Sequence, residues 1–231
     1  SSLVLNTASN NTAVGFESLC KNSSGTSNTA VGKGSLKATL TTSENTGVGA
    51  GALNGNTGGC NTGVGSSALE NVTGNNNTAV GQRALYLNNS GAANTAVGQG
   101  ALDANTTGGD HTAVGRNALG ANTTSSSNAA FGGNALSTNT TGGFNTAVGY
   151  DALLSNTTAS NNTSVGTNSM RLNTTGTANV AVGHNSLDAN TTGSNNIAVG
   201  RSSLGSNTTG ATNAAFGGNA LNANTTGNFN T

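Results

Sequence analysis

Residues 145–161 read NTAVGYDALLSNTTASN, and close variants of this segment fill most of the chain. Thirteen copies begin between Asn11 and Asn213, and we call each copy a rung and number its columns 1 to 17 from the first Asn. Ten of the twelve rungs between these two starts fill all of the columns, and the third and fourth rungs are one residue shorter. Repetition at a fixed short period is the sequence signature of a solenoid, in which each unit stacks on its neighbours.

Several columns accept almost no variation. Column 5 is Gly in all thirteen rungs, column 9 is Leu except for Met170, and column 4 is Val except for Phe131 and Phe216. Column 3 is only Ala, Gly or Ser. We interpret the Val and Leu columns as the dry interior and the Asn of column 1 as a stacked amide ladder. The positions that represent these predicted ladders are Val14, Val97, Val148, Leu19, Leu102, Leu153, Gly15, Gly98, Gly149, Asn94, Asn128 and Asn145.

Charged residues keep the same register. All fourteen Lys, Arg, Asp and Glu side chains fall in columns 6, 7, 10, 11 or 17. A disordered low-complexity chain has no physical reason to sort its charges in this way. The sorting therefore indicates a folded repeat with fixed solvent-facing corners.

The unit is too short for helical repeats, which need about 33 residues or more. Asn, Thr and Gly are also weak helix formers. We expect an all-β fold, a parallel β-solenoid (β-roll) of 13–14 rungs with the 17 columns in each full rung. Each rung is predicted to hold two short strands, at columns 1–4 and 8–12, with turns at column 5 and columns 13–15. The array is expected to run through 1–231 as one domain and to be an excerpt or subunit of a longer fibre.

Fifteen Asn-x-Ser/Thr sequons occur in the chain, and they include the column-12 Asn of each of the eight rungs from the sixth to the thirteenth. Column 12 is predicted to form a second Asn ladder, because stacked amides can hydrogen-bond from rung to rung. Glycosylation of these asparagines is the alternative, although glycans ~4.8 Å apart would be crowded. The candidate glycosylation sites are Asn105, Asn122, Asn139, Asn156, Asn173, Asn190, Asn207 and Asn224.

One Val and one Leu per rung make a thin core. Burial of both is worth roughly 3–6 kcal/mol, whereas ordering one residue costs ~1–2 kcal/mol. The strand is also restricted on both faces, since column 3 is small and columns 2 and 4 are largely apolar or Thr. A strand restricted on both faces is typically buried on both. We therefore predict self-association; a monomeric roll with a narrow interior is the alternative.

Variable positions return every five rungs. The segment NAAFGGNAL occurs at 128–136 and again at 213–221, and column 6 is basic at Lys33, Arg116 and Arg201. Duplication of a five-rung block explains this pattern. Lateral contacts through Lys33, Arg116 and Arg201 are the functional alternative.

The Asn-Thr-Ala-Val-Gly, Ala-Leu and Asn-Thr-Thr-Gly elements resemble the head repeats of YadA-like trimeric autotransporter adhesins and the repeats of phage-type tail fibres. The resemblance covers essentially the whole chain, although the repeat unit is longer here than is usual in that family. It implies a left-handed parallel β-roll, three chains around one axis, and a role in fibres or adhesion.

Composition excludes several function classes. The net charge is zero and charged residues are 6%, so a basic nucleic-acid surface is not expected. Cys20 and Cys60 are two rungs apart, about 10 Å, too far for a disulfide and therefore predicted to be free thiols. His111 stands in the column-1 ladder and His184 in a solvent-facing column. We expect no enzyme activity, no metal and no cofactor, and no insertion into a membrane.

The expected function is a stiff, protease-resistant structural shaft of an extracellular fibre or filament, on a cell surface, secreted or on a virion. Its expected partners are copies of itself, as a homotrimer or an end-to-end filament, with a surface receptor or glycan as a candidate ligand. An ice-binding solenoid that uses the Thr ladders of columns 13–14 and a glycan-coated fibril are the alternatives. Residues 1–10 are interpreted as the second half of a rung, with Leu3 in column 9 and Asn6 in column 12.

Overall fold

The computed structural model describes residues 8–231, and within them the chain is an all-β parallel β-solenoid with about 17 residues per turn and no helix. This confirms the predicted fold class. The chain divides at His111 into two compact units, residues 1–111 (unit 1) and 112–231 (unit 2). Leu3 and Asn6 lie outside the described residues, and the left hand of the solenoid stays a prediction.

Unit 1 carries six three-residue strands, one per rung, in columns 2 to 4. Each strand pairs in parallel with the next, and the register keeps equivalent columns side by side, as in Val48↔Val64 across a shortened rung. The missing residue is therefore absorbed in the turn rather than in the sheet. The strands are β1 (Thr12–Val14), β2 (Thr29–Val31), β3 (Thr46–Val48), β4 (Thr62–Val64), β5 (Thr78–Val80) and β6 (Thr95–Val97).

Unit 2 carries seven strands in the same columns, and every rung between them is full length. Neighbouring strands again pair in parallel and in register, as in Val165↔Val182. The strands are β7 (Thr112–Val114), β8 (Ala129–Phe131), β9 (Thr146–Val148), β10 (Thr163–Val165), β11 (Val180–Val182), β12 (Ile197–Val199) and β13 (Ala214–Phe216).

The Gly of column 5 ends each strand. Gly149 has φ +136°, which side-chain-bearing residues rarely adopt, and a Cβ added there would lie 2.6 Å from the carbonyl oxygen of Gly166 in the next rung. Gly15 and Gly98 have similar φ values of 129° and 135°. Column 5 is thus Gly because the backbone of the next rung occupies the space of a side chain.

The predicted second strand at columns 8–12 is wrong, because this segment is a series of turns. Columns 7 and 9 have left-handed φ values, such as 55° at Asp151 and 51° at Leu153, which an extended strand does not have. A left-handed Leu costs roughly 1–2 kcal/mol. Full burial of the same side chain gains about 1.5–3 kcal/mol, so it offsets that cost. The Leu153 amide also donates to the Ser169 carbonyl of the next rung at 3.0 Å.

The core contains the Leu column and the small columns 3 and 8. Leu19, Leu102 and Leu153 are fully buried, which confirms the prediction for column 9. Column 3 lies directly on this Leu layer: a Cβ added at Gly63 would lie 3.2 Å from Cγ of Leu53. Only Ala, Ser or Gly fits there, which explains the restriction seen in the sequence.

The predicted Val interior is wrong. Val14 is 58% exposed and Val148 is 37% exposed, and Val97 is only partly buried. Successive strand residues point to opposite sides of a sheet, so an inward column 3 turns columns 2 and 4 outward. The solenoid therefore has a small-residue inner face and a β-branched outer face.

Candidate functional site

The outer sheet face, defined as columns 2 and 4 of the strands, is the first candidate site. Eight of its Val, Ile and Phe side chains are substantially exposed, from 36% at Val31 to 70% at Phe216, and the others are half-buried. None of the side chains in these two columns is charged in any of the thirteen rungs. Isolated exposed apolar residues are ordinary, but a continuous row of them typically marks an interaction surface.

The Asn of column 1 forms the predicted ladder. In unit 2, the backbone N–H of Asn145 donates to the side-chain Oδ1 of Asn128 at 2.8 Å. The backbone N–H of Asn162 donates in the same way to Oδ1 of Asn145 at 3.0 Å. Asn94 takes the same place in unit 1, where its Oδ1 accepts from the His111 amide at 3.1 Å. All these side chains are about 1% exposed or less. His111 is therefore accommodated in the ladder through its backbone.

The Asn of column 12 forms a second ladder, again as predicted. Nδ2 of Asn156 donates to Oδ1 of Asn139 in the preceding rung at 2.8 Å and to the Ala159 carbonyl at 3.0 Å. Nδ2 of Asn145 in column 1 donates to the same carbonyl at 2.9 Å. Both ladders thus meet at the column-15 carbonyl, and together they satisfy polar groups that the turn would otherwise leave buried and unpaired.

This geometry bears directly on the candidate glycosylation sites. Glycan attachment at an Asn requires a free Nδ2, but Nδ2 here donates two hydrogen bonds in a side chain that is fully buried from Asn105 through Asn207. Replacing one donor by a bulky glycan would remove a bond and leave no space for the next rung. These asparagines are structural, and a glycan on them is incompatible with the folded rung. The fully buried sites are Asn105, Asn122, Asn139, Asn156, Asn173, Asn190 and Asn207. Asn224 is half-buried, and its Nδ2 donates to Oδ1 of Asn207 and to the Gly227 carbonyl.

The charged corner, defined as columns 6, 7 and 10, is a surface of ion pairs between neighbouring rungs. Lys37 contacts Glu17 at 2.6 Å, and the hydrogen bond between them raises the pKa of Lys37 and lowers that of Glu17. Further pairs join Arg83 to Asp103 and Arg171 to Asp188, both at 3.1 Å. Solvent-exposed pairs of this kind contribute little to stability, typically about 0–1 kcal/mol.

The candidate lateral-contact residues lie on this corner but outside those pairs. Lys33, Arg116 and Arg201 are exposed in column 6, and none of them forms an ion pair within residues 8–231. Arg116 and Arg201 belong to unit 2, in the rungs that precede those of Phe131 and Phe216. Lys33 lies in the rung that follows Phe16, which is 61% exposed, so all three cations are one rung away from an exposed aromatic side chain.

Both cysteines are free thiols, as predicted. The Cys60 thiol is exposed and lies 3.2 Å from Oε2 of Glu44, and this hydrogen bond, with partial burial, raises the pKa of Cys60. A raised pKa makes a thiol a weaker nucleophile at neutral pH. The site therefore lacks the electropositive surroundings of a reactive cysteine.

Within residues 8–231, no cluster of three or more His, Cys, Asp or Glu side chains is arranged to bind a metal ion. The same part of the chain has no helix with the length and apolarity needed to span a membrane. No protein-family model matches this chain, and no curated protein matches its sequence. The candidate site is accordingly assessed from its own geometry.

Two features of the site were missed by sequence reasoning. One is the outward direction of the Val column, and the other is the convergence of both Asn ladders on the column-15 carbonyl. The sequence signal for the convergence is the fixed separation of each Asn from Ala159, which is 14 residues for Asn145 and three for Asn156. Only a closed rung, however, brings these positions together.

Proposed function

We propose that this chain is a structural shaft segment of an extracellular fibre or filament, that it is not an enzyme, and that it associates with copies of itself. The observation that carries the proposal is the outer sheet face. It is a charge-free row of β-branched and aromatic side chains that a single chain leaves substantially exposed. Such a surface fits association better than solvent.

The interior supports a mechanical role. Backbone amides donate from rung to rung in the strands, at the Leu of column 9 and in the Thr turn, whereas those of columns 8 and 12 donate within their own rung. Two Asn ladders add side-chain bonds along the same direction. A structure whose backbone groups are bonded along the stacking direction resists bending and offers few open segments to a protease. Stiffness and protease resistance follow from this arrangement, and an extracellular location would make use of both.

Mass per unit length of the native particle, measured by scanning transmission electron microscopy, tests the proposal. The 22.2 kDa chain has ~1.6 kDa in each ~4.8 Å rung, or about 0.34 kDa per Å. A fibre at three times that value supports the trimeric, adhesin-like or tail-fibre-like shaft. A value of one chain would contradict self-association through the sheet face, and short isolated particles would contradict the shaft itself.

A pair of matched variants tests whether the outer sheet face carries the association. Val148→Lys places a charge on that face, whereas Thr158→Lys places the same charge on an exposed turn position. We expect Val148→Lys to lower the mass per unit length to that of one chain and Thr158→Lys to leave it unchanged. Loss of assembly in both variants would point to a charge effect unrelated to the face.

Ice binding is the second candidate. Column 14 presents one exposed Thr in each rung of unit 2, and regularly spaced hydroxyls can order water. The neighbouring Thr of column 13 is engaged differently, since Oγ1 of Thr157 donates to the Thr174 carbonyl at 3.2 Å. Only one Thr column is therefore fully available. Thermal hysteresis of the purified chain would favour this function over the shaft, and its absence would remove it.

A further inference from the structure

Rungs eight and thirteen differ from all others on the outer sheet face. In each of them column 4 changes from Val to Phe, at Phe131 and Phe216, while column 2 changes to Ala, at Ala129 and Ala214. Elsewhere column 2 is Thr, Val or Ile. The two changes compensate in volume, since one side chain grows where its neighbour on the same face shrinks. A freely solvated surface imposes no such volume balance, whereas close packing does.

The two Phe residues share their flanking sequence but differ in exposure. Phe131 is 41% exposed and Phe216 is 70% exposed, and each is followed by a Gly pair in columns 5 and 6. At rung eight the Tyr150 ring comes from the next rung and lies within 3.3 Å of the position that a Cβ on Gly133 would take. The Gly pair thus leaves space beside the outer sheet face, and at rung eight the Tyr150 ring lies against it.

We infer that copies of this chain pack outer sheet face against outer sheet face in a single axial register, set by rungs eight and thirteen. In that register Phe131 of one copy lies over the Ala129 position of a second copy, and Phe216 lies over Ala214. The inference rests on the self-association proposed above and adds which rungs align. Nine of the other rungs present Thr in column 2 and Val in column 4, and rungs eleven and twelve present Val180 and Ile197 in column 2. The nine Thr and Val rungs alone would permit a slip of one or more rungs.

Symmetry explains why Phe should meet Ala. When two parallel copies are related by rotation about an axis along the stacking direction, column 4 of one faces column 2 of the other at the same height. A Phe rung that is aligned with itself then sets a large side chain against a small one. A slip by one rung would instead set Phe131 against Thr146, and overpacking of this kind typically costs about 1–3 kcal/mol.

The charge of the face favours a second copy as the occupant. Each strand is about 10 Å long and ~4.8 Å wide, so the seven strands of unit 2 present roughly 340 Å² of surface, which is a part of the ~800 Å² per partner of a standard interface. The face carries no charge, so two identical faces do not repel each other. A second copy also has its Phe rungs five rungs apart, whereas an unlike partner would have no reason to share that spacing.

Disulfide trapping tests the register. The two reporter cysteines lie in rung nine, so both Phe residues stay intact. One batch of protein carries Thr146→Cys and the other Val148→Cys, and the two batches are mixed. Both also carry Cys20→Ser and Cys60→Ser, which removes the native thiols. Cross-linking requires Cα atoms within ~7 Å, so this pair reports the aligned register. Thr146→Cys mixed with Val182→Cys, two rungs away at ~10 Å, reports a slipped register.

The comparison variant makes the face uniform by combining Ala129→Thr, Phe131→Val, Ala214→Thr and Phe216→Val. These substitutions give rungs eight and thirteen the Thr and Val side chains that most other rungs have in columns 2 and 4. In the native face we expect the aligned pair to cross-link and the slipped pair to stay uncross-linked. In the uniform face we expect the slipped pair to reach the yield of the aligned pair, with the mass per unit length unchanged.

Each remaining outcome overturns a specific statement. Aligned cross-links alone in both faces would show that the Phe rungs do not set the register, while self-association would stand. Cross-links between Thr146→Cys and itself, rather than with Val148→Cys, would indicate an antiparallel pairing and also overturn the inference. No cross-link in any pair, with the mass of one chain, would remove the proposed self-association and the register together.

Discussion

Unit 1 and unit 2 are built from the same rung but with different regularity. In unit 2 all seven rungs have Asn in column 12, and six successive hydrogen bonds of 2.8–3.1 Å join these side chains. Unit 1 replaces this Asn by Thr39 and Val72, and its third and fourth rungs are one residue shorter. The strand register is nevertheless the same in both units. The turn at columns 12–15 can therefore vary, whereas columns 3, 5 and 9 cannot.

The largest expected effect is common to both units, because the Gly of column 5 lies against the backbone of the next rung in each of them. Gly149→Ala in unit 2 and Gly32→Ala in unit 1 each force a side chain onto a φ above +130° and to within 2.6 Å of the next rung. We expect each to cost more than ~3 kcal/mol of unfolding free energy. Urea denaturation followed by circular dichroism measures it. Gly218→Ala, whose nearest atom is 4.0 Å away, is the control and should be nearly neutral.

The second effect concerns the Leu layer. Leu53 in unit 1 and Leu153 in unit 2 are both fully buried, so Leu→Ala at either position should cost about 2–5 kcal/mol. Met170→Leu conserves volume and should cost less than ~1.5 kcal/mol. The same denaturation experiment applies. A loss below ~1 kcal/mol at Leu153 would mean that column 9 is not the core, whatever its exposure.

The third effect sharpens the difference between the units. Val72 is buried between rungs that carry Asn56 and Asn88 in the same column, so Val72→Asn should complete that part of the ladder and stabilise unit 1 by ~1 kcal/mol. Asn173→Ala in unit 2 removes bonds to Asn156 and Gly176 and should cost about 1–3 kcal/mol. Hydrogen exchange resolves the two units. In the Val72→Asn variant we expect the backbone amides near residue 72 to exchange more slowly. Faster exchange would show that the short turn has no space for the Asn side chain.

The smallest effect is confined to unit 1, which holds both cysteines. The carboxylate of Glu44 raises the pKa of Cys60, so at a given pH less of the thiol is ionised. Glu44→Gln removes that charge, and the pKa of Cys60 should fall and its alkylation become faster near neutral pH. Mass spectrometry of timed iodoacetamide reactions measures this, with Cys20 as the internal control. An unchanged rate for Cys60 would mean that the contact with Glu44 does not persist in solution.

The sequence by itself determined the repeat, the parallel stacking, the Gly of column 5, the Leu of column 9 and the two Asn ladders. Each of these features requires residues of the same column to lie side by side in successive rungs. A fixed repeat length has that result in any solenoid. Even the shorter third and fourth rungs kept that register, because their missing residue falls in a turn. The sorting of charges in the sequence likewise indicates the solvent-facing corner.

Only the tertiary structure decided which side of the strand faces inward and how the Leu segment runs. Thr-Ala-Val alternates in the same way whichever face is buried, and the choice depends on the depth left above Leu53 and its equivalents, which admits a methyl group but not a Val. The left-handed backbone at Leu153 has no local sequence signal, because it is imposed by the closure of so short a rung. These two packing constraints turn the Val column outward and create the surface through which we propose that copies of the chain associate.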